Sequence, residues 1–493
     1  MISPAASKYL HESGILTLPS ERRLFDFTHF VDAKEGVQED IINLLREKLE
    51  KENLENHEKF FNLLFDELTV RADIVLNRKG EIIGCVNMTG IEASLATLET
   101  ELVGEEPMIK PEPAKKVLVY MLQGISLNVQ EIVGIFATTE LSAEQLCSRT
   151  WDVTYHLEIR GIKVLSFICD GASCNKKFFK MHASWDPESN CVFATRNIAS
   201  GEDRAVYFIV DPPHLLKTIR NCFSNSHGHK HSRLMWKNGE EISWEAIVKL
   251  HDVSIADKYK EHKLTRAHII LTAFSRMNVL LATQVMSSSV ALSLKKYLND
   301  PRFCGLITNS LISFLLAVNT LFDCLNGSND PGGKRNKKNN NLDPYTSPQD
   351  KRFGETFLDV LNFFDDWYND IQTREGNYSK EDRERMFIRM QSYESIHITV
   401  NGFMGAVMFL LEIGAKSVDA KKFNQDKLEQ YFGLLRMSGG GSNNPSVKSV
   451  INKSLSLTVQ KGAAMPSAKG NTGGERKTLT VNQEPLPCLP KKC

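Results

Sequence analysis

The chain has no excess of charge of either sign: 60 Lys and Arg stand against 60 Asp and Glu in 493 residues. Net charge therefore points to no partner, and any nucleic-acid surface must be a local patch. The ten cysteines are scattered singly, with no CxxC pair. That spacing argues against a structural zinc site and against a secreted disulfide framework. The opening MISPAASKYLHESG lacks a basic stretch followed by an apolar core, so no signal peptide is expected. The most apolar segment, Ile307–Leu321, is broken by Asn309, Ser310, Ser313 and Asn319. It is too short and too polar to span a bilayer, so no membrane partner is expected and the chain reads as cytosolic or nuclear. No GxxxxGK(S/T) loop and no NKxD tetrad occur, which excludes a G-protein-like nucleotide domain.

What the sequence does have is ample apolar content, 42%, and length enough for two to four domains. Two short β-branched and aromatic runs, Val164–Ile168 and Val206–Val210, each lead into an aspartate, Asp170 and Asp211. Such runs read as buried strands. An ionised carboxylate at the edge of a buried strand is costly to desolvate and needs a metal, a cation or a helix N-terminus beside it. Asp170, followed by Gly171 and a short helix from about Asn175, either presents its carboxylate to a metal or caps that helix.

In order along the chain, residues 1–58 carry small helices, with a start at Leu18-Pro19-Ser20-Glu21 and a helical run over Val37–Leu49. These helices either dock on DNA or simply pack. Strands are expected at Phe61–Val70 (with Asp66 and Glu67), Ile82–Met88 and Val117–Ile125, around an acidic loop, Ile91–Glu112. A helix capped by Ser142 follows over Ser142–Glu158. The order β-β-β-α-β-α-β is that of an α/β ribonuclease-H-like core, in which adjacent parallel strands bring Asp66 and Asp170 to one edge. Two carboxylates there stay ionised together only with a divalent cation, and hard oxygen ligands suit Mg2+ or Mn2+.

Residues 236–420 read as an all-helical insertion, with helices in Ile242–Leu250, Leu264–Leu298, Leu306–Leu325 and Phe353–Tyr368. Within it a Gly/Pro/Asn-rich loop, Gly327–Pro348, holds Lys334, Arg335, Lys337 and Lys338 as a solvated cluster or a phosphate contact. His227, His229 and His231 read as loop rather than a zinc site. After the insertion, Phe423–Met437 is a helix in which Glu429 borders the buried stripe and Gly433, one turn on, leaves room beside its carboxylate. Residues 448–493 read as a flexible tail.

The blocks FDELTV, FICDGASCNKKFFK, VYFIVDPPHLLKTIRN, ISWEAIVKLH, NVLLATQVMSSSVA, LFDCLNG and NQDKLEQYFGLLRMSGGGSNNP stand here in one order. In that order they resemble the P-element-type, or THAP-domain, transposases. LPSERRLFDFTHF looks like the segment before that family's core, and the resemblance spans roughly residues 15–450. It implies a nuclear, homo-oligomeric cut-and-paste DNA transposase acting on transposon ends and target DNA. The ribonuclease-H-like core (59–235 and 421–447) would be interrupted by a GTP-binding insertion (236–420). By motif, Asp66, Asp170 and Glu429 are the implied catalytic acids and metal ligands, with Asp211 and His214 in support or DNA contact. Asp211 is the alternative second ligand. Three carboxylates can hold two ions about 3.5–4 Å apart for in-line displacement at phosphorus, with no covalent protein intermediate.

The resemblance also implies GTP binding through Phe322, Asp323 and Asn326, with Ser287 and Val279. A carboxylate accepts guanine N1–H and N2–H together, a pairing adenine lacks. Asn278 stands where the family has a lysine. Lys217 and Arg220, on the helix after DPPH, either hold DNA phosphates or form an exposed cationic face. The family's zinc module, Cys-x(2–4)-Cys…Cys-x(2)-His, has no counterpart here. A catalytically silent, domesticated descendant that binds DNA or protein is the second reading.

Overall fold

The computed structural model describes residues 9, 13, 34–76, 82–86, 112–226, 233–258, 260–328, 339–437 and 444–454. In chain order the strands are β1 (Gly36–Val37), β2 (Phe60–Thr69), β3 (Val75–Leu76), β4 (Ile82–Ile83), β5 (Lys116–Gly124), β6 (Gln130–Thr138), β7 (Lys163–Cys169), β8 (Ala194–Arg196), β9 (Ala205–Val210), β10 (Trp236–Lys237) and β11 (Glu240–Glu241). Seven of them form one sheet in the order β1-β6-β5-β2-β7-β9-β8. β2, β5 and β6 make an antiparallel meander, while β7 joins β2 and β9 joins β7 in parallel. This is the ribonuclease-H-like arrangement, with short strands added at both edges.

β2 shows why its sequence reads as one unbroken apolar run. Phe60, Leu64 and Leu68 enter one core cluster, and Phe61, Leu63 and Phe65 enter the other, so both faces of the strand are covered. The second face is covered by α1 (Glu39–Glu50), α2 (Ala143–Glu158) and α3 (Ser173–Lys180). Ser142 caps α2 as expected, accepting from Gln145 N at 3.2 Å while the Gln145 side chain accepts from Ser142 N at 3.2 Å. The first face is covered by α4 (Pro212–Phe223) and by helices of the insertion.

The meander corrects one expectation. The strand expected over Ile82–Met88 is only Ile82–Ile83, paired with Val75–Leu76 in a separate two-stranded sheet. Its place is taken by β6, so Val117–Ile125 corresponds to the second strand of the meander. The run QEIVGIFAT opens with two polar residues and holds Gly134, which hid its alternation. Gly134 fits a crowded spot there, since a Cβ would lie 3.0 Å from the Tyr120 ring and 3.1 Å from both Phe136 and Val153.

The insertion starts with the β10–β11 hairpin and continues with α5 (Glu245–Ala256). The expected helix over Leu264–Leu298 is instead four: α6 (Arg266–Ile269), α7 (Ala273–Met277), α8 (Val279–Val285) and α9 (Ser288–Lys296). Thr272, Asn278 and Ser287 break it, each capping the helix that follows with its own side chain, while at the start of α6 the Thr265 N–H donates to His268 Nδ1 at 2.9 Å. Next come α10 (Asn309–Asn326), α11 (Phe357–Thr373), α12 (Lys380–Arg385) and α13 (Met390–Glu412).

α13 is long and apolar enough to cross a membrane, yet 61% of that window is buried inside the protein. It lies on β9, where Thr399 Oγ1 donates to Val210 O at 3.0 Å and accepts from Val210 N at 3.2 Å. Gly402 permits the contact, since a Cβ there would stand 2.1 Å from Phe208 O. Glu429 is carried by α14 (Asp426–Met437). The motif LPSERRLFDFTHF, the three histidines at 227–231, the four cations at 334–338 and the tail beyond 454 lie outside the described residues.

Candidate active site

The parallel pairing of β2 with β7 sets Leu64 beside Ile168. Asp66 and Asp170, each two residues further on, therefore come to the same end of adjacent strands. The Asp66 Oδ1 accepts from Glu67 N at 2.7 Å. Asp170 Oδ1 accepts from Ala172 N at 2.9 Å and from Asn175 Nδ2 at 2.6 Å. Asp170 is not the cap of α3, which is Ala172; one of its oxygens pins the turn into that helix, and the other has no hydrogen bond among the described residues. Glu67 points to the opposite face, where Lys116 Nζ lies 2.8 Å and Thr138 Oγ1 3.0 Å from its carboxylate.

Glu429 arrives on α14. Its Oε1 lies 3.3 Å from His214 Nε2 and 3.9 Å from Lys217 Nζ. A Cβ at Gly433 would meet nothing within 4 Å, so the space beside Glu429 is open. Burial, then the charge of Asp170, push the Asp66 carboxyl up to about 7, and Glu429 adds to the rise while His214 offsets part of it. Asp66, Asp170, Glu429 and His214 therefore share one electrostatic neighbourhood. Burial works against a charged His214, but its hydrogen bond to Asp211 and the nearby negative charges outweigh this and hold its pKa above the ordinary value.

Asp211 has a different role from the other acids. It is 1% exposed and has both oxygens engaged. Oδ2 accepts from His214 N and faces His214 Nδ1, both at 2.8 Å, which caps α4. Oδ1 accepts from Gln425 N at 2.7 Å. The Gln425 side chain in turn donates to Phe65 O at 2.8 Å, next to Asp66. Gln425 thus ties the start of the Glu429 helix to β2 and, through Asp211, to the end of β9. Sequence reasoning missed Gln425 and Asn175, since neither stands in a local pattern that marks it.

Lys217 and Arg220 do not form an exposed face. Lys217 is 5% exposed and turned toward Glu429, while Arg220 is fully buried. Arg220 Nη2 donates to Ser275 O at 2.9 Å and Arg276 O at 3.2 Å, and Nε to Asn221 Oδ1 at 2.9 Å. Its guanidinium clamps α7 onto α4 and cannot reach a DNA phosphate. The insertion, through Ser275 and Arg276, covers the part of α4 that carries Arg220.

In the insertion, Asp323 Oδ2 accepts from Asn319 Nδ2 at 2.7 Å and from Asn339 Nδ2 at 2.8 Å. Burial raises its pKa, and these two bonds offset part of the rise. Asn319 Oδ1 also accepts from Ser288 N at 3.0 Å, which draws the Ser287 cap toward Asp323. Phe322 is half-buried against Pro212, Leu215 and Leu216 of α4. Val279 opens α8, and Asn278, at the position of the family's lysine, caps it by accepting from Leu281 N at 3.1 Å. Asn326 Oδ1 accepts from Asn424 Nδ2 at 3.4 Å, which links the insertion to the segment before Glu429.

Charge and chemistry at the sheet edge suit a divalent cation: three acids gather there, and Asp66, Asp170 and Glu429 each keep an oxygen without a hydrogen bond among the described residues. Side-chain position does not close on one. Among the described residues no three His, Cys, Asp or Glu side chains stand ready to hold a metal ion. Glu429 is drawn to His214 and Lys217 instead.

The architecture is a ribonuclease-H-like α/β core opened by a helical insertion ahead of its last acidic helix. Three family models match in sequence order. These are a TNP-like RNase H N-terminal domain over residues 33–183, a TNP-like GTP-binding insertion domain over 213–339 and a TNP-like RNase H C-terminal domain over 421–449. The chain belongs to the P-element-type transposase family. It is 22% identical over 446 residues to the Transposable element P transposase of Drosophila melanogaster, covering 90% of this chain and 50% of that protein. The chain thus spans about half the length of the curated relative it matches. Its fold resembles the Drosophila P element transposase strand transfer complex, with a TM-score of 0.68 at 19% identity over 93% of this chain and 88% of that one.

Proposed function

We propose that the chain is a DNA transposase core that cuts and joins phosphodiester bonds, with Asp66, Asp170 and Glu429 as its catalytic acids. Residues 59–235 and 421–447 would form the catalytic unit and 236–420 the GTP-binding insertion. The observation that carries this reading is the Asp66 carboxyl, pushed up to about 7 by burial and by two further acids. Negative charge crowded in this way, only partly offset by His214, is what a divalent cation would relieve. A Mg2+ or Mn2+ ion held by these acids would activate the attacking oxygen and stabilise the leaving one.

The chain's own residues support that chemistry in specific ways. Asn175 and the Ala172 amide fix one Asp170 oxygen and leave the other to face the site. Asp211 orients His214, which holds Glu429 from one side. Lys217, close to Glu429, supplies positive charge where a phosphate would approach. Asp323, with Phe322, Asn326, Ser287 and Val279, would receive the guanine of GTP. DNA in the nucleus and further copies of the chain are the partners this reading entails.

Purified protein incubated with supercoiled or nicked DNA, Mn2+ and GTP should cleave it. Asp66→Ala and Glu429→Ala should each lower the rate at least about a hundredfold. Equal background cleavage by all three proteins would favour the second reading, a silent descendant that binds DNA or protein. The contact that favours that reading is the Glu429 carboxylate held by His214 and Lys217.

A further inference from the structure

Between the β5–β6 turn and the segment leading into α14 lies a cleft of about 370 Å3. Lys421, Lys422 and Lys427 line it, along with Gln123, Asp419 and Asp426. None of the three lysines forms an ion pair with a described residue, whereas the other lysines near the acidic edge, Lys116 and Lys217, do. Burial holds the Lys422 pKa below the ordinary value, and the charge of Lys427 adds to this. Gln123 is 2% exposed, and its Oε1 is buried without a hydrogen-bond partner among the described residues. A buried acceptor left alone has lost its water without a replacement, so a group that donates to it is favoured. Burial and then the charge of Asp211 lift the Asp426 carboxyl, while Lys421 of the same lining pulls it down.

We propose that this cleft binds the phosphates of a nucleotide unit, through Lys421, Lys422 and Lys427, while Gln123 accepts a hydrogen bond from its sugar hydroxyl or base. The lysines disfavour a metal cation, and the amide-rich wall disfavours an apolar ligand. Two sources carry the chemistry, the backbone of a DNA strand and a free nucleotide triphosphate. Binding at the cleft needs no catalytic step, so it stands or falls apart from the proposed reaction.

The test uses the full chain and three probes: a labelled single-stranded oligonucleotide read by fluorescence anisotropy, GTP, and inorganic triphosphate as competitors. The Lys422→Ala/Lys427→Ala double variant should bind the oligonucleotide about tenfold more weakly. The slope of log affinity against log salt should fall by about 1.4, since each single-strand phosphate contact contributes about 0.7. Gln123→Leu should weaken the oligonucleotide and GTP but leave inorganic triphosphate, which has no sugar or base, unchanged. Lys51→Ala, on an exposed residue far along the chain, should leave all three unchanged. Loss confined to the oligonucleotide assigns the cleft to a DNA strand, and loss shared by GTP and triphosphate assigns it to a free nucleotide. A double variant that melts at the wild-type temperature and binds every probe with unchanged affinity and salt slope overturns the proposal.

Discussion

Asp66 and Asp323 are both half-buried carboxylates whose pKa is raised first of all by burial, but their surroundings differ in kind. Around Asp66 stand more acids, which raise its pKa further. Around Asp323 stand two side-chain amides that donate to it and bring the pKa partly back. At the sheet edge His214 offsets only part of the rise, and the Asp66 carboxyl still stands at about 7. The Asp323 neighbourhood is already hydrogen-bonded, so an incoming base must displace an internal donor. Under the proposed function the first region would gain a cation, and the second would exchange an internal donor for a base.

The largest effect that would break this contrast is a pH dependence of stability. Asp66 has a folded pKa of about 7 against 3.8 for the ordinary side chain. Between those values the folded protein holds a proton that the unfolded chain has lost, so stability is full below about pH 4 and falls as pH rises through 7. Up to about 4 kcal/mol is at stake by pH 8, since each unit of difference is about 1.4 kcal/mol. His214, also raised, changes stability in the same direction at somewhat higher pH. Chemical denaturation of wild type and Asp66→Asn at pH 5 and pH 8 separates the two contributions. The Asn variant should lose most of the slope, and adding Mg2+ at pH 8 should stabilise wild type more than the variant. Parallel slopes in the two proteins would mean that the sheet edge is not under charge strain.

A smaller effect tests whether the acidic edge depends on α13 for its support. Gly402→Ala brings a methyl to 2.1 Å from Phe208 O, a backbone atom of β9 with little freedom to move. The expected loss is about 3 kcal/mol, seen as a lower melting temperature. The Thr399 bonds to Val210 sit one turn away, so the same variant should loosen the strand that ends at Asp211. An unchanged melting temperature would mean that α13 rides on the sheet without bracing it.

The sheet edge was legible in the sequence because its signals are local. Apolar runs that stop at an aspartate, a capped helix and an acid with a glycine one turn on can each be read within a dozen residues. What failed was whatever depends on a distant neighbour. Arg220 looks solvent-facing on a helical wheel, and only the return of Ser275 and Arg276 across it makes it a buried clamp. Gln425 has no pattern around it, yet it joins the helix of Glu429 to β2 and, through Asp211, to the end of β9. The three breaks in Leu264–Leu298 fall between these cases. Thr272, Asn278 and Ser287 are helix-capping residue types, but the apolar period runs on past them.

The smallest effect sharpens the nucleotide side of the contrast. Asn339 Nδ2 donates to the same Asp323 oxygen that receives Asn319, in the way a guanine N–H would. Removing it with Asn339→Ala takes away one charge-assisted hydrogen bond, worth about 1–1.5 kcal/mol net, from the ligand-free protein. If Asp323 reads guanine, the bond no longer has to be exchanged, so GTP should bind about fivefold to tenfold more tightly by calorimetry while ATP stays weak. Asp323→Asn should abolish the preference for GTP, since an amide cannot accept from two guanine N–H groups as a carboxylate does. Weaker GTP binding by Asn339→Ala would make Asn339 part of the binding surface rather than a stand-in for the base, and Asp323 would then resemble the sheet edge in needing its partners added from outside.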